Sequence, residues 1–255
     1  MHERTDPARE QLGWYMRNCA MSATAGRLEF VLLERLNLLK GIPKHEGASD
    51  LSRPKQRRES MRELHRLLES YTEPVVSNES LEQNALYARE QFGPRWADVD
   101  RNGCDTRNDI LNRDLTDRTW RPGTHGCVVI GGTLADPYTG TAITFAKERA
   151  ADVQIDHVVA LSNAWQAGAQ QLDPDTRRAF ANDPLGLLAV DGRANQQKGD
   201  GDAATWLPPN RAFWCPYVAR QVAVKAKYRL WTTPAEHAAI ARVLERCPDE
   251  PVPVG

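Results

Sequence analysis

The apolar residues of the chain recur at helical spacing near the N-terminus and in short β-branched runs further along. The stretches "GRLEFVLLERLNLLKG" and "MRELHRLLESY" carry leucines three or four positions apart, which is typical of amphipathic helices. We therefore predict a helical N-terminal region over residues 1–75. A second domain over residues 76–255 begins within the polar linker "TEPVVSNES".

The second region mixes strands and helices. "CVVIGGTLADPYTGTAITF" holds two β-branched runs around a Pro/Gly turn and predicts a β-hairpin. "QIDHVVALSNAW" and "PLGLLAVDG" predict two further strands, and "RANQQKGDGDAATW" reads as the start of a helix. "PYVARQVAVKAKYRLW" and "TPAEHAAIARVLERC" predict two C-terminal helices. The predicted fold class is α+β.

Asp156 and His157 stand side by side in a run otherwise suited to a buried strand. Neighbouring side chains of a strand point to opposite faces, so one of the two would lie toward apolar surroundings. A buried polar group without a partner costs ~1–3 kcal/mol, so a partner is expected. One interpretation of the pair is a hydrogen-bonded structural histidine beside a turn-forming acid. The other interpretation is a reactive site that residues elsewhere in the chain complete.

The order of elements favours a reactive site. A strand with Asp156 and His157, a second strand, a turn and a helix with Asn195 in its first turn together resemble the HNH, or ββα-metal, nuclease site. The resemblance is closest to the HNH group that carries the domain of unknown function 1524. The stretches that carry it, from about residue 96 to the end, are "NGCDTRNDIL", "DPYTGTAITF", "QIDHVVALSNAW", "FANDPLGLLAVDGRANQQKGDGDAATWLPPN" and "CPYVARQVAVKAKYRLW".

This resemblance implies a ββα-metal core with a preceding β-hairpin and flanking helices. It also implies a metal-dependent endonuclease that hydrolyses DNA phosphodiester bonds, with RNA as the alternative substrate. Carried over by position, His157 is the general base, and Asp156 and Asn195 hold one Mg²⁺ or Mn²⁺ ion. Lys198 is expected to contact phosphate. Arg107, in the family-typical "GCDTR", is expected to be either a phosphate clamp or a surface salt-bridge residue.

The chemistry agrees with these roles. A histidine with an ordinary pKa of about 6.5 suits proton abstraction from water near neutral pH. Carboxylate and amide oxygens suit a hard cation that keeps several waters.

One position departs from the family pattern, because the middle asparagine of the HNH signature is here Gly186. A catalytically weakened HNH-fold module that binds nucleic acid or another partner is therefore the first alternative. A Ca²⁺-stabilised extracellular structural protein is the second. It rests on Asp98, Asp100, Asn102 and Asp109, whose spacing fits either a Ca²⁺ loop or a turn-rich acidic loop.

Composition narrows the partners and leaves the compartment open. The net charge is −1, so contacts with nucleic acid need local basic patches rather than a global field. No apolar run approaches the ~20 residues of a membrane helix, and the start lacks a signal-peptide pattern, which predicts a cytoplasmic protein. The cysteines favour the secreted alternative, because Cys104–Cys127 and Cys215–Cys247 are one of three pairings into two disulfides.

Overall fold

The computed structural model describes residues 54–70 and 87–254. The helix expected in "GRLEFVLLERLNLLKG" and the expected linker "TEPVVSNES" lie outside the described residues. The helices are α1 (Pro54–Glu69), α2 (Thr106–Asp114), α3 (Leu161–Gln166), α4 (Pro174–Ala181), α5 (Gly192–Lys198), α6 (Trp214–Tyr228) and α7 (Pro234–Leu244). The strands are β1 (Leu115–Trp120), β2 (Val129–Ala135), β3 (Ala142–Ala146), β4 (Val153–His157) and β5 (Leu187–Asp191).

Two small antiparallel sheets support the site. One has the order β1-β2-β3, and the other pairs β4 with β5. The hairpin expected in the "DPYTG" region is confirmed, since β2 and β3 pair antiparallel around that turn. The α+β class is confirmed as well. In the second sheet, Asp156 lies opposite Leu188 and His157 lies opposite Leu187.

Strand β5 lies between two apolar clusters, which explains its unbroken run of apolar residues. Leu187 and Ala189 belong to a cluster with α2 and the three-stranded sheet. Leu188 and Val190 belong to a larger cluster formed mainly by helices. Because β4 and β5 run side by side, these two clusters also define the two faces on which Asp156 and His157 lie.

Helix α1 packs against the C-terminal helices α6 and α7. Its leucine stripe is confirmed, since Leu64 and Leu68 are buried in the larger cluster. This helix is part of the segment assigned from sequence to the N-terminal region, and the boundary near residue 75 stays a prediction. Thr233 caps α7 as expected, accepting a hydrogen bond from the Glu236 backbone N–H at 3.1 Å.

Two disulfides link distant segments within residues 87–254. Cys104–Cys127 joins the loop before α2 to the loop between β1 and β2, and Cys215–Cys247 joins the first turn of α6 to the residues after α7. This is the pairing with two local loops among the three that the sequence allowed. Within residues 54–70 and 87–254, no helix is both long and apolar enough to cross a membrane.

Candidate active site

A pocket of about 320 Å³ lies at the C-terminal end of β4. Asp156 and His157 line it from that strand, and Asn195 lines it from α5. Tyr87 and Asp200 contribute to the rim from two further segments. The structure thus brings together the three residues that the sequence singled out for the base and the metal.

Asp156 is buried, and its carboxylate has two partners in the protein. The Lys198 ammonium donates to its Oδ1 at 2.9 Å, and the Tyr138 hydroxyl donates to its Oδ2. Burial and the nearby Asp156 charge hold the pKa of Tyr138 well above its usual range, so this hydroxyl remains a donor. The carboxylate is therefore fixed in orientation by one cationic and one neutral donor.

Asn195 projects from α5 toward the face of β4 on which Asp156 lies. Its Nδ2 donates to Gln154 Oε1 at 2.9 Å, and Gln154 lies two residues before Asp156 on one face of the strand. Gln154 Nε2 in turn donates to the Ala151 carbonyl at 3.4 Å, so Gln154 presents its oxygen to Asn195 and the Asn195 Nδ2 is the donor. The Asn195 carbonyl oxygen accepts no hydrogen bond from the described residues.

His157 points away from Asp156, as the strand geometry predicts. Its Nε2 lies 2.8 Å from the Ala181 carbonyl oxygen, and its ring stacks on Trp96 with centroids 6.0 Å apart. Since a carbonyl can only accept, Nε2 carries the proton and the lone pair of the neutral ring is on Nδ1. Burial lowers the pKa of His157 to about 4, so the ring is neutral at neutral pH.

Lys198 was expected to contact phosphate, which would require its ammonium to face outward, but it faces inward. Its side chain is fully buried, and its ammonium donates to Asp156 Oδ1 and, at 2.7 Å, to the His157 carbonyl oxygen. Arg107 is half-buried on α2, where its guanidinium lies 5.9 Å from the centre of the Phe145 ring. Arg107 is not among the residues that line the pocket.

Gly186 lies in a single 3₁₀ turn, Pro184–Gly186, directly before β5 rather than within that strand. Main-chain groups hold the loop around the histidine: the Gly186 carbonyl accepts from the Val158 N–H at 2.9 Å, and the Ala181 carbonyl contacts His157. Asp183 caps the 3₁₀ turn and accepts from the Tyr228 hydroxyl at 2.8 Å. Asp183 therefore stabilises the loop at the place where the sequence lacks the expected asparagine.

The acidic loop before α2 is a second candidate cation site. Asn102 Nδ2 donates to Asp100 at 3.0 Å and to Asp109 at 3.1 Å, and Asp98 accepts from the backbone N–H groups of Asn102 and Gly103. The four side chains expected to bind Ca²⁺ thus share one hydrogen-bonded network, which joins the loop to Asp109 in the first turn of α2. Among the described residues, no group of three His, Cys, Asp or Glu side chains could hold a metal ion. Ca²⁺ binding at this loop stays a prediction.

Sequence reasoning missed Tyr138 and Trp96. Tyr138 belongs to the "DPYTG" turn, a pattern that predicts exposure, yet it is completely buried. Trp96 adopts a positive φ of 56°, which is unusual for a bulky residue and is retained here beside the stacked His157 ring. Neither contact has a local signal, because both depend on segments far apart in the chain.

Comparison with known proteins defines the class of this α+β domain as nuclease-related. Residues 105–243, more than half of the chain, match the family model of the GmrSD restriction endonucleases, C-terminal domain. The chain belongs to this family. The match covers α2, all five strands and nearly all of the two C-terminal helices, and it includes every pocket residue on β4 and α5.

One curated relative is an uncharacterized secreted protein of Arthroderma benhamiae. It is 39% identical over 163 residues, which cover 63% of this chain and 76% of the relative. No solved structure matches the chain.

Proposed function

We propose that the protein is a metal-dependent HNH endonuclease of the group carrying the domain of unknown function 1524, and that it hydrolyses DNA phosphodiester bonds. The observation that carries the proposal is the single pocket shared by Asp156, His157 and Asn195. Membership of a family named for restriction endonucleases supports a nucleic-acid substrate.

His157 is the general base in this proposal. Its ring is held by the Ala181 carbonyl on one nitrogen and by Trp96 against one face. Nδ1 accepts no hydrogen bond from the described residues, so its lone pair is available to take a proton from water. Fixing the ring in advance removes the cost of orienting it during the reaction.

Asp156 and Asn195 would hold one divalent cation, Mg²⁺ or Mn²⁺. One carboxylate and one amide oxygen form a hard donor set that leaves most of the coordination shell to water, which suits these ions. When bound, the cation would neutralise charge that develops on the phosphate. Lys198 positions this part of the site, because its ammonium contacts both the Asp156 carboxylate and the His157 carbonyl.

We also propose that the protein works outside the cytoplasm. Two disulfides are expected of an oxidising compartment, and the curated relative is named as secreted. The cytoplasmic location predicted from the start of the sequence has no support from these observations.

A nucleic-acid-binding module without catalysis is the rival function. It is favoured by one observation, namely that both Asp156 oxygens already have partners in the protein. Glycine in place of the family's middle asparagine agrees with it.

A plasmid-nicking assay separates the two functions. The parent should nick plasmid DNA with Mg²⁺ or Mn²⁺ and should be inactive with EDTA. His157→Ala should abolish nicking while DNA binding survives, whereas His125→Ala, on an exposed loop, should cut like the parent. Metal-independent binding without any nicking by the parent would establish the rival.

A further inference from the structure

The segment over residues 87–96 begins at the pocket with Tyr87 and ends against the His157 ring with Trp96. Tyr87 lines the pocket and remains 37% exposed. The chain then forms one 3₁₀ turn, Arg89–Phe92, and reaches Trp96, which stacks on the His157 ring. Residues within this segment therefore lie beside the proposed base.

Helix α4 anchors the segment. Arg177 donates from Nε to the Gln91 carbonyl at 2.8 Å, and the buried Phe92 packs against Phe180 with ring centroids 5.8 Å apart. The same helix ends at Ala181, whose carbonyl holds His157. One helix thus fixes the position of both the segment and the base.

The segment presents two arginines without acidic partners. Neither Arg89 nor Arg95 forms an ion pair with any carboxylate in the described part of the chain. Arg89 is half-buried and donates to the Gly93 carbonyl at 2.9 Å, which fixes the direction of its side chain. Arg95 follows six residues later in the same segment and is exposed. Burial and the Arg95 charge lower the pKa of Arg89, and the smaller opposing effects of Tyr87 and Glu90 do not offset them.

The repulsion between two neighbouring cations on a protein surface is reduced when an anion binds between them. The arginine fork matches the oxygens of a phosphate group. The candidate cations named from sequence are engaged in other contacts: Lys198 is buried in its pair with Asp156, and Arg107 lies over Phe145.

We infer that Arg89 and Arg95 form a phosphate clamp that holds one nucleic-acid strand against His157, with Tyr87 as a stacking surface for an adjacent base. The placement beside His157 rests on the proposed function. The binding of the strand by these three side chains does not depend on cleavage.

Fluorescence anisotropy with a labelled DNA oligonucleotide in EDTA tests the clamp without cutting the probe. Arg89→Gln and Arg95→Gln should each weaken binding roughly tenfold or more, the effect of losing a charged hydrogen bond. Each should also reduce the slope of log affinity against log salt by about one. The control Arg242→Gln, on an exposed position of α7, carries the same charge change and should match the parent.

Two conservative variants separate contact with DNA from a structural role. Arg89→Lys should keep the salt slope of the parent, because it keeps the charge. Tyr87→Phe should bind like the parent, whereas Tyr87→Ala should weaken binding about fivefold or more through lost stacking. Thermal unfolding of every variant should stay near that of the parent.

The outcomes also separate this inference from the proposed function. Arginine-dependent binding by a parent that does not nick DNA would support the clamp and refute the nuclease. A parent that nicks DNA while both Arg→Gln variants bind within twofold of it, with unchanged salt slopes, would overturn the clamp.

Discussion

Lys198 is the residue whose removal tests the electrostatics of the site most directly. In the parent, its ammonium lies 2.9 Å from Asp156 Oδ1, and the two side chains are 0% and 6% exposed. Lys198→Met keeps a long unbranched chain in the same space and removes the charge. The Asp156 carboxylate would then remain buried, with the Tyr138 hydroxyl as its hydrogen-bond donor in the protein.

Removing one partner of a buried ion pair costs about 3–5 kcal/mol, because the remaining charge is uncompensated. For a domain of this size, 1 kcal/mol shifts the midpoint of thermal unfolding by roughly 2–4 °C, so a decrease of roughly 6–20 °C is expected. Adding Asp156→Asn should recover most of this loss, since the double variant buries no unpaired charge.

Urea unfolding at pH 7 in EDTA, followed by tryptophan fluorescence with the disulfides intact, would give the free energies of unfolding. Arg149→Met is the matched control. It removes a pair with Asp152 in which the two side chains are 64% and 48% exposed, and it should cost at most about 1 kcal/mol. A Lys198→Met loss no larger than that of the control, or no recovery in the double variant, would refute the reasoning.

The site, the disulfides and the acidic loop lead to four further predictions. Since the pKa of His157 is lowered to about 4, the rate of nicking should fall as the pH drops through about 4. A rate that already falls near pH 6.5 would contradict His157 as the base. The unfolded chain takes up this proton near pH 6.5 while the folded chain does not, so stability should also decrease from pH 6.5 toward 4, and His157→Gln should flatten that decrease. Reducing the disulfides, which span 23 and 32 residues, should lower the free energy of unfolding by about 3–4 kcal/mol for each, measured by urea unfolding with and without reductant. If the acidic loop takes up Ca²⁺, calorimetric titration should show one site that Asp98→Asn weakens; heat no different from buffer dilution would remove the Ca²⁺ prediction.

The order β4, β5, α5 was accessible from sequence because each element has a strong local pattern. Strand β4 carries β-branched residues and β5 is a continuous apolar run. Helix α5 begins directly after β5, with Asp191 as its N-cap, and the separate turn expected between them is absent. These patterns predicted the elements, and the resemblance to the HNH site is what grouped Asp156, His157 and Asn195, which line one pocket.

Strand β1 was not predicted, and its burial explains why. Five of the six residues of "LTDRTW" are exposed, so the strand has almost no apolar signal and exists through its hydrogen bonds to β2. The partners of the site residues were hidden for a related reason. Tyr138 and Lys198 contact Asp156 from 18 and 42 positions away, and no local period indicates such contacts.

The position of β5 between two apolar clusters has a consequence for how activity is lost. The strand that aligns Asp156 and His157 cannot loosen without opening both clusters at once, because alternate side chains of β5 fill one or the other. On heating or in denaturant, the midpoint for loss of activity should therefore equal the midpoint for unfolding of the whole domain. The reactive groups have no melting transition of their own.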